Sequence, residues 1–449
     1  MKPLRALIVS YVFPPVGGAG VQRVAKLVKY LPRAGVTPTV LTAREPSVPL
    51  RDASLARDVP ASTTILRART LEPGYGAKQA AWQATAQASA GPWSRLKSGL
   101  VGLSRKLLVP DPQLLWLPAA HVQLVSRLSS AAADDVVFIS GPPFSQYLLA
   151  PLARLRPGTA VVLDYRDEWS TIASAYEMSG SARASALLER RVLRLAHAVT
   201  TATEEFRQAL LERFEFLDPS RVVTIPNGYD PEDFPATLPE PPRDRCVLTY
   251  SGTVFRLTSG AGFLAGLRLF HEQEPELARQ LEVRFVGRIV DTELRAFEGS
   301  EALGVRRLGY VEHEQAIRLL AESHVALCLL DEVSGVERVY PAKIFEIMRA
   351  GRPCLALTPE GALARLVRQH RLGDVVPPRQ PEAIAQALVR CVLAFRDNPA
   401  GARSAALDIE RFDRRLQAEQ FAQVFRRAHA LAQTPRFSPP RAARSVSSA

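Results

Sequence analysis

The chain has 449 residues, 47% apolar and 23% charged, which is ordinary for a soluble globular protein and long enough for two or three domains. Its formal charge is +12, so an anionic partner is expected: phosphorylated ligands, an anionic membrane surface or nucleic acid. With no zinc-ligand spacing and no Lys/Arg block, nucleic acid is set aside, and no apolar run reaches the roughly 18 residues of a membrane span.

The N-terminal MKPLRALIVSYVFPP leads from a short apolar run straight into a Pro/Gly turn, which is unlike a signal peptide. The four cysteines, Cys246, Cys328, Cys354 and Cys391, are far apart and form no CxxC pair. They read as reduced, mostly buried thiols of a cytoplasmic protein.

Short β-branched runs alternate with helix-length stretches. Strands are predicted at Ala6–Val12, Thr37–Leu41, Thr63–Leu66, Asp135–Ser140, Ala160–Asp164, Ala198–Thr201 and Val222–Ile225. They are apolar on both faces, the pattern of a parallel sheet covered on each side. The Pro-rich FPATLPEPPRDR at 234–245 reads as an interdomain linker. The pattern then restarts at Cys246–Ser251, Glu282–Val286, Val305–Leu308, His324–Leu330 and Pro353–Leu357, and a last helix is predicted around Arg411–Leu431. The expected fold class is α/β, with two Rossmann-like domains over 1–238 and 239–408. A C-terminal helix at 409–431 would return to the first domain, and a Pro/Ser/Arg-rich disordered tail would occupy 432–449.

Ligands of open α/β sheets bind beyond the carboxyl ends of the strands. After the first strand comes VGGAGVQR, where Gly17, Gly18 and Gly20 precede a helix. This is either a loop that lets backbone amides approach a ligand or a tight turn. Arg23 stands where a dinucleotide fingerprint has its third glycine. SGPPFS (140–145) and DYRDEW (164–169) place Phe144, Asp164, Arg166, Asp167 and Trp169 past two strands; the alternatives are a cleft or an Asp–Arg pair capping a helix, with Trp169 in the core. In the second half, Arg256 and Arg288 follow strands and are candidate phosphate forks, or surface arginines.

The stretch VERVYPAKIFEIMRAGRPCLAL (336–357) puts Pro341 at the start of a short helix, with Lys343 and Glu346 on one face. A helix start beside a lysine attracts phosphate, and a carboxylate can accept from both hydroxyls of a ribose. A solvated i,i+3 Lys–Glu pair is the plain alternative.

FPPVGGAGVQR, SGPPFS, DYRDEW, IPNGYD, YSGT, LGYV and YPAKIFEIMRAGRPCLAL, in that order over Met1 to about Leu431, resemble a family-four (group one) glycosyltransferase of GT-B fold. SGPPFS with DYRDEW is similar to a bacterial surface-polysaccharide branch. The resemblance implies a retaining, metal-independent transfer of the hexosyltransferase type, from a nucleotide-sugar co-substrate to a hydroxyl of a polysaccharide or lipid-linked acceptor, without a cofactor. It implies Gly17 and Gly18 over the diphosphate, Glu346 on the ribose, and Lys343 with the Ala342 amide at the diphosphate or the ribose; Arg166 and Phe144, by their position after strands, are expected on the acceptor side or in the cleft. The chain departs from the family pattern at three places. Arg338 takes the position of a sugar-contacting glutamate, with Glu337 one step away. Thr253 and Ser259 take that of a basic pair, leaving Arg256 and Arg288 as substitutes. Asp167 takes that of a histidine beside the reacting sugar. A sugar-nucleotide epimerase is a weaker enzyme reading, since it needs further acid/base groups and the chain has only 7 histidines. A non-catalytic nucleotide-binding scaffold is the alternative from outside enzymology.

Residues 91–110 place Trp93, Leu96, Leu100, Leu103 and Leu107 in one stripe, with Arg95, Arg105 and Lys106 away from it. This is either a helix packed on the first sheet or one lying at the inner face of the plasma membrane.

Overall fold

Strands that are apolar on both faces must be covered on both faces, and the fold follows from that requirement. In the computed structural model, which describes residues 3–48, 50–76, 108–130, 133–169, 182–404 and 406–434, two parallel sheets form, each flanked by helices. The first comprises β1 (Leu4–Val9), β2 (Val36–Ala43), β3 (Thr64–Ala68), β4 (Val136–Gly141), β5 (Ala160–Tyr165), β6 (Ala198–Thr201) and β7 (Val222–Thr224), in the order β3-β2-β1-β4-β5-β6-β7. The second comprises β8 (Cys246–Ser251), β9 (Leu281–Val286), β10 (Val305–Gly309), β11 (Val325–Leu329), β12 (Cys354–Leu357) and β13 (Gly373–Val376), in the order β10-β9-β8-β11-β12-β13. In each sheet the order reverses beside the first strand, between β1 and β4 and between β8 and β11. Crevices for ligands open at such switch points. This is the GT-B architecture of two Rossmann-like domains.

β1 and β4–β5 are fully buried along most of their length, and the first-sheet core is built on Leu7, Val9, Val137, Ile139, Val161 and Leu163 on one face and Ala6, Ile8, Phe138 and Val162 on the other. β13 has no counterpart among the sequence-predicted strands. It is four residues long, begins Gly373-Asp374 and is exposed over its first half, so it lacks the continuous apolar run that marks the others.

Residues 235–245, between the two sheets, carry no helix or strand. The last helix runs Arg414–Gln433. It starts later than its apolar pattern suggests because Ile409–Phe412 forms a separate tight turn and Asp413 caps the helix, accepting from the Arg415 amide at 2.8 Å. It lies on the first sheet: Phe421 and Phe425 meet Phe138 of β4 at centroid distances of 5.5 and 5.2 Å. Cys246, Cys328 and Cys354 are buried free thiols, and Cys391 is a half-buried one. No helix among the described residues is long and apolar enough to cross a membrane. The stripe at 91–107 and the tail beyond residue 434 lie outside the described residues.

Candidate active site

A cleft of about 460 Å³ opens between the two domains, at the carboxyl ends of the strands flanking both switch points. Gly18 lines it from the loop after β1, Gly20 and Gln22 from the first turn of the helix that follows, Pro142 from the loop after β4, and Arg166 and Asp167 from the loop after β5. Opposite them stand Gly252 and Thr253 after β8, Gly287 and Arg288 after β9, Tyr310 and His313 after β10, and Ala342 and Lys343 at the start of the helix Lys343–Ala350.

The glycine loop is shaped by its backbone. Gly18 sits at φ 113°, a conformation that side chains resist, and the helix Ala19–Tyr30 starts directly after it, so its first turn faces the cleft. Gly287 is required for another reason: at φ 129°, a Cβ there would lie 2.0 Å from the carbonyl oxygen of Gly252. The two strand ends thus approach backbone to backbone.

Beneath the first-domain loops lies Arg23, 2% exposed. Its Nη2 and Nε donate to Asp164 Oδ1 and Oδ2 at 2.8 and 3.1 Å, and its remaining donors reach the carbonyls of Ile225 (2.9 Å) and Pro226 (2.8 Å). Asp164 also accepts from Ser140 Oγ (2.6 Å) and Thr200 Oγ1 (2.7 Å). Burial alone would raise the Asp164 carboxyl, but Arg23 and these hydroxyls hold it below the usual range. The residue that breaks the dinucleotide fingerprint is therefore a buried hub joining the glycine-loop helix to the ends of β4, β5, β6 and β7.

Of the residues singled out from the sequence, Gly18, Arg166, Asp167, Arg288, Ala342 and Lys343 come together in the cleft. Arg166 is committed to backbone, donating through Nε to Gly141 O at 3.1 Å and through its other nitrogens to Gly20 O and Pro142 O. It braces the glycine loop against the loop after β4. Asp167 is half-buried, and burial pushes its carboxyl up against the opposing pull of Arg166 and Arg23. Arg288 accepts support from the other domain, donating to Tyr75 Oη at 2.9 Å. Glu346 is buried directly behind the cleft wall. Its Oε2 accepts from Lys343 Nζ at 2.9 Å and its Oε1 from His313 Nε2 at 3.1 Å. Burial would raise this carboxyl, but Lys343 and His313 bring it down to about 2.

Four residues lie elsewhere. Phe144 is 2% exposed and stacks on Trp169 at 5.2 Å and 8°, in the core of the first domain, because its ring finds an aromatic cluster with Tyr147 and Tyr165. Arg256 is exposed at the start of a short turn, Arg256–Thr258, outside the cleft lining. Glu337 is exposed and pairs with Arg338. Gly17 is turned toward Tyr310, whose hydroxyl a Cβ would approach to 2.3 Å, and its amide donates to Leu50 O at 3.1 Å.

Other groups at the site carry no signal in the sequence. Asp52 accepts from Tyr310 Oη and from the His313 amide, both at 3.1 Å, and so pins the loop after β10 to the first domain. Glu168 takes a two-point bond from Arg338, with Nη2–Oε2 at 3.0 Å, across the same interface. Asp58, Asp230 and Asp233 converge, with Lys26 Nζ among them, 2.8 Å from both Asp58 and Asp230.

Residues 17–228 match the family described as a glycosyl transferase 4-like domain, and residues 256–393 match the glycosyl transferases group 1 family. The chain is thus built of a glycosyl transferase 4-like domain followed by a glycosyl transferases group 1 domain. No curated protein sequence matches it. Among solved structures, it is similar to HepE of Anabaena in complex with UDP and glucose, at 14% identity and TM-score 0.61, with 94% of this chain and 98% of that one covered. It is also similar to the sucrose-phosphate synthase of Thermosynechococcus elongatus, at 17% identity and TM-score 0.60, covering 95% and 100%. A third is WaaG, a glycosyltransferase involved in lipopolysaccharide biosynthesis, at 14% identity and TM-score 0.55, covering 95% and 98%. At these identities the likeness is one of fold.

Within these two glycosyltransferase domains, three of the residues that depart from the family pattern have distinct surroundings. Arg338 is engaged by Glu168 and Glu337. Thr253 lines the cleft, where its carbonyl accepts from Tyr250 Oη and Thr258 Oγ1. Ser259 Oγ donates to Glu293 at 2.6 Å.

Proposed function

We propose that the protein is a retaining glycosyltransferase that moves a sugar from a nucleotide-sugar to a hydroxyl of a polysaccharide or lipid-linked acceptor. The observation that carries this reading is the pairing across the cleft. The helix start at Ala342, with Lys343, faces the helix start at Gly18, and Glu346 lies behind Lys343. Two helix N-termini, Lys343 and Arg288 offer positive potential to a diphosphate without a metal ion. As a diphosphate draws the Lys343 ammonium toward it, Glu346 gains acceptor sites for the two ribose hydroxyls. Asp167, on the opposite wall, is the polar group placed to meet the reacting sugar.

Two structurally similar proteins, one in complex with UDP and glucose and one involved in lipopolysaccharide biosynthesis, support a UDP-sugar as the first donor to try and a bacterial surface glycan as product. The +12 charge supports a lipid-linked acceptor at an anionic cytoplasmic membrane face.

The test is turnover of UDP-, GDP- and ADP-sugars by the purified protein, with lipid-linked and oligosaccharide acceptors, read as nucleotide release and as the anomeric configuration of the product. Release with retained configuration is expected from one donor. Nucleotide binding without turnover of any donor would leave the scaffold reading in its place.

A further inference from the structure

We infer that His313 is a positioning residue that fixes Glu346 and sets it beside Asp233, which is bonded to the glycine-loop helix of the opposite domain. The inference rests on the reading of Glu346 as the carboxylate that meets the nucleotide's ribose, and adds what holds that carboxylate in place.

His313 opens the helix His313–Ala321, is 7% exposed and lines the cleft. Its Nε2 lies 3.1 Å from Glu346 Oε1. An ionised carboxylate can only accept, so Nε2 carries a proton and donates it. That orientation turns Nδ1 toward Asp233 Oδ2, 3.8 Å away, too far for a hydrogen bond and an ion pair only when the ring carries both protons. Asp233 Oδ1 in turn accepts from Lys26 Nζ, in the helix Ala19–Tyr30 that follows Gly18. The His313 amide is itself anchored on Asp52 of the first domain. One imidazole therefore sits between the carboxylate behind the second-domain wall, the turn Pro231–Asp233 that leads into the interdomain stretch, and the first-domain helix whose start lines the cleft.

Lys343 bonds Glu346 as well, but it cannot do the same work. Lys343 lines the cleft, where a diphosphate would compete for its ammonium, and it belongs to the same helix as Glu346, so it carries no information about the other domain. His313 is the partner that stays when Lys343 turns to a phosphate. Without it, Glu346 loses the donor that sets its plane, and its alignment with the glycine loop is lost too.

The experiment is a double-mutant cycle by isothermal titration of UDP, GDP and ADP into the full-length protein, taking the nucleotide the wild type binds most tightly. The variants are His313→Ala, His313→Gln, Glu346→Ala and the double variant His313→Ala/Glu346→Ala. His313→Asn, whose amide stops at the Nδ1 position, replaces the alanine if that variant does not fold. His313→Ala is expected to weaken binding about tenfold, the worth of one hydrogen bond to a charged group. His313→Gln, which returns a donor near the Nε2 position, should restore most of it. In the Glu346→Ala background, removing His313 should change nothing further. Equal affinity of wild type and His313→Ala, or the same loss in both backgrounds, would overturn the proposal. A wild type that binds none of the three nucleotides would overturn the donor reading, and this inference with it.

Discussion

Arg23→Ala should unfold the first domain selectively. In the folded protein Arg23 neutralises Asp164, which is 0% exposed, and donates to two carbonyls at the end of β7. Truncation leaves a buried carboxylate with only the Ser140 and Thr200 hydroxyls. Removing one partner of a buried ion pair costs about 3–5 kcal/mol. With a urea slope of about 2–3 kcal/mol per molar, that is a drop in midpoint of about 1–2.5 M. Tryptophan fluorescence isolates the domain, because all four tryptophans, Trp82, Trp93, Trp116 and Trp169, precede residue 170. The pH dependence follows from the sign of the shift. The Asp164 carboxyl is held low in the folded state, so its contribution is present above its unfolded value of about 3.9 and lost as pH falls through the folded one. In Arg23→Ala the same carboxyl is raised by burial alone, and protonation relieves the penalty. The gap between the proteins should therefore narrow as pH falls from 8 to 5. A midpoint shift below about 0.3 M at pH 7, or a gap constant over that range, would refute the reasoning.

Arg338→Ala removes the two-point bond to Glu168 across the domain interface. Loss of a charged hydrogen bond worth about 1.5–3 kcal/mol should favour the open cleft, seen as faster proteolysis within residues 234–245 while each domain's own unfolding is unchanged. Gly287→Ala forces a Cβ to 2.0 Å from the Gly252 carbonyl at a positive φ. Backbone strain of about 1–3 kcal/mol should appear as a lower melting temperature, with the urea transition of the tryptophan-bearing domain unmoved.

The strands were legible wherever burial on both faces wrote an unbroken apolar run, and so was the place of the cleft, because parallel sheets put their ligands at strand ends. Lys343, Ala342 and Gly18 were legible for the same reason, as helix starts following strands. Phe144 was misplaced because position after a strand does not say which way a ring turns, and an aromatic cluster claimed it. Arg23 was visible only as a missing glycine; that it gathers four strand ends depends on Asp164, 141 residues away. Asp52 and His313 stayed hidden because they meet across 261 residues of sequence. No local pattern records such a contact.

The most direct test of the nucleotide-sugar reading is the affinity of Glu346→Ala for the nucleoside diphosphate that the wild type binds, measured by titration calorimetry. The Glu346 carboxyl is held down to about 2, so it is ionised throughout pH 5–8, and loss of its charged hydrogen bonds to ribose should cost about 1.5–3 kcal/mol, or about 10- to 150-fold in Kd. An unchanged Kd in a folded Glu346→Ala protein would contradict the account.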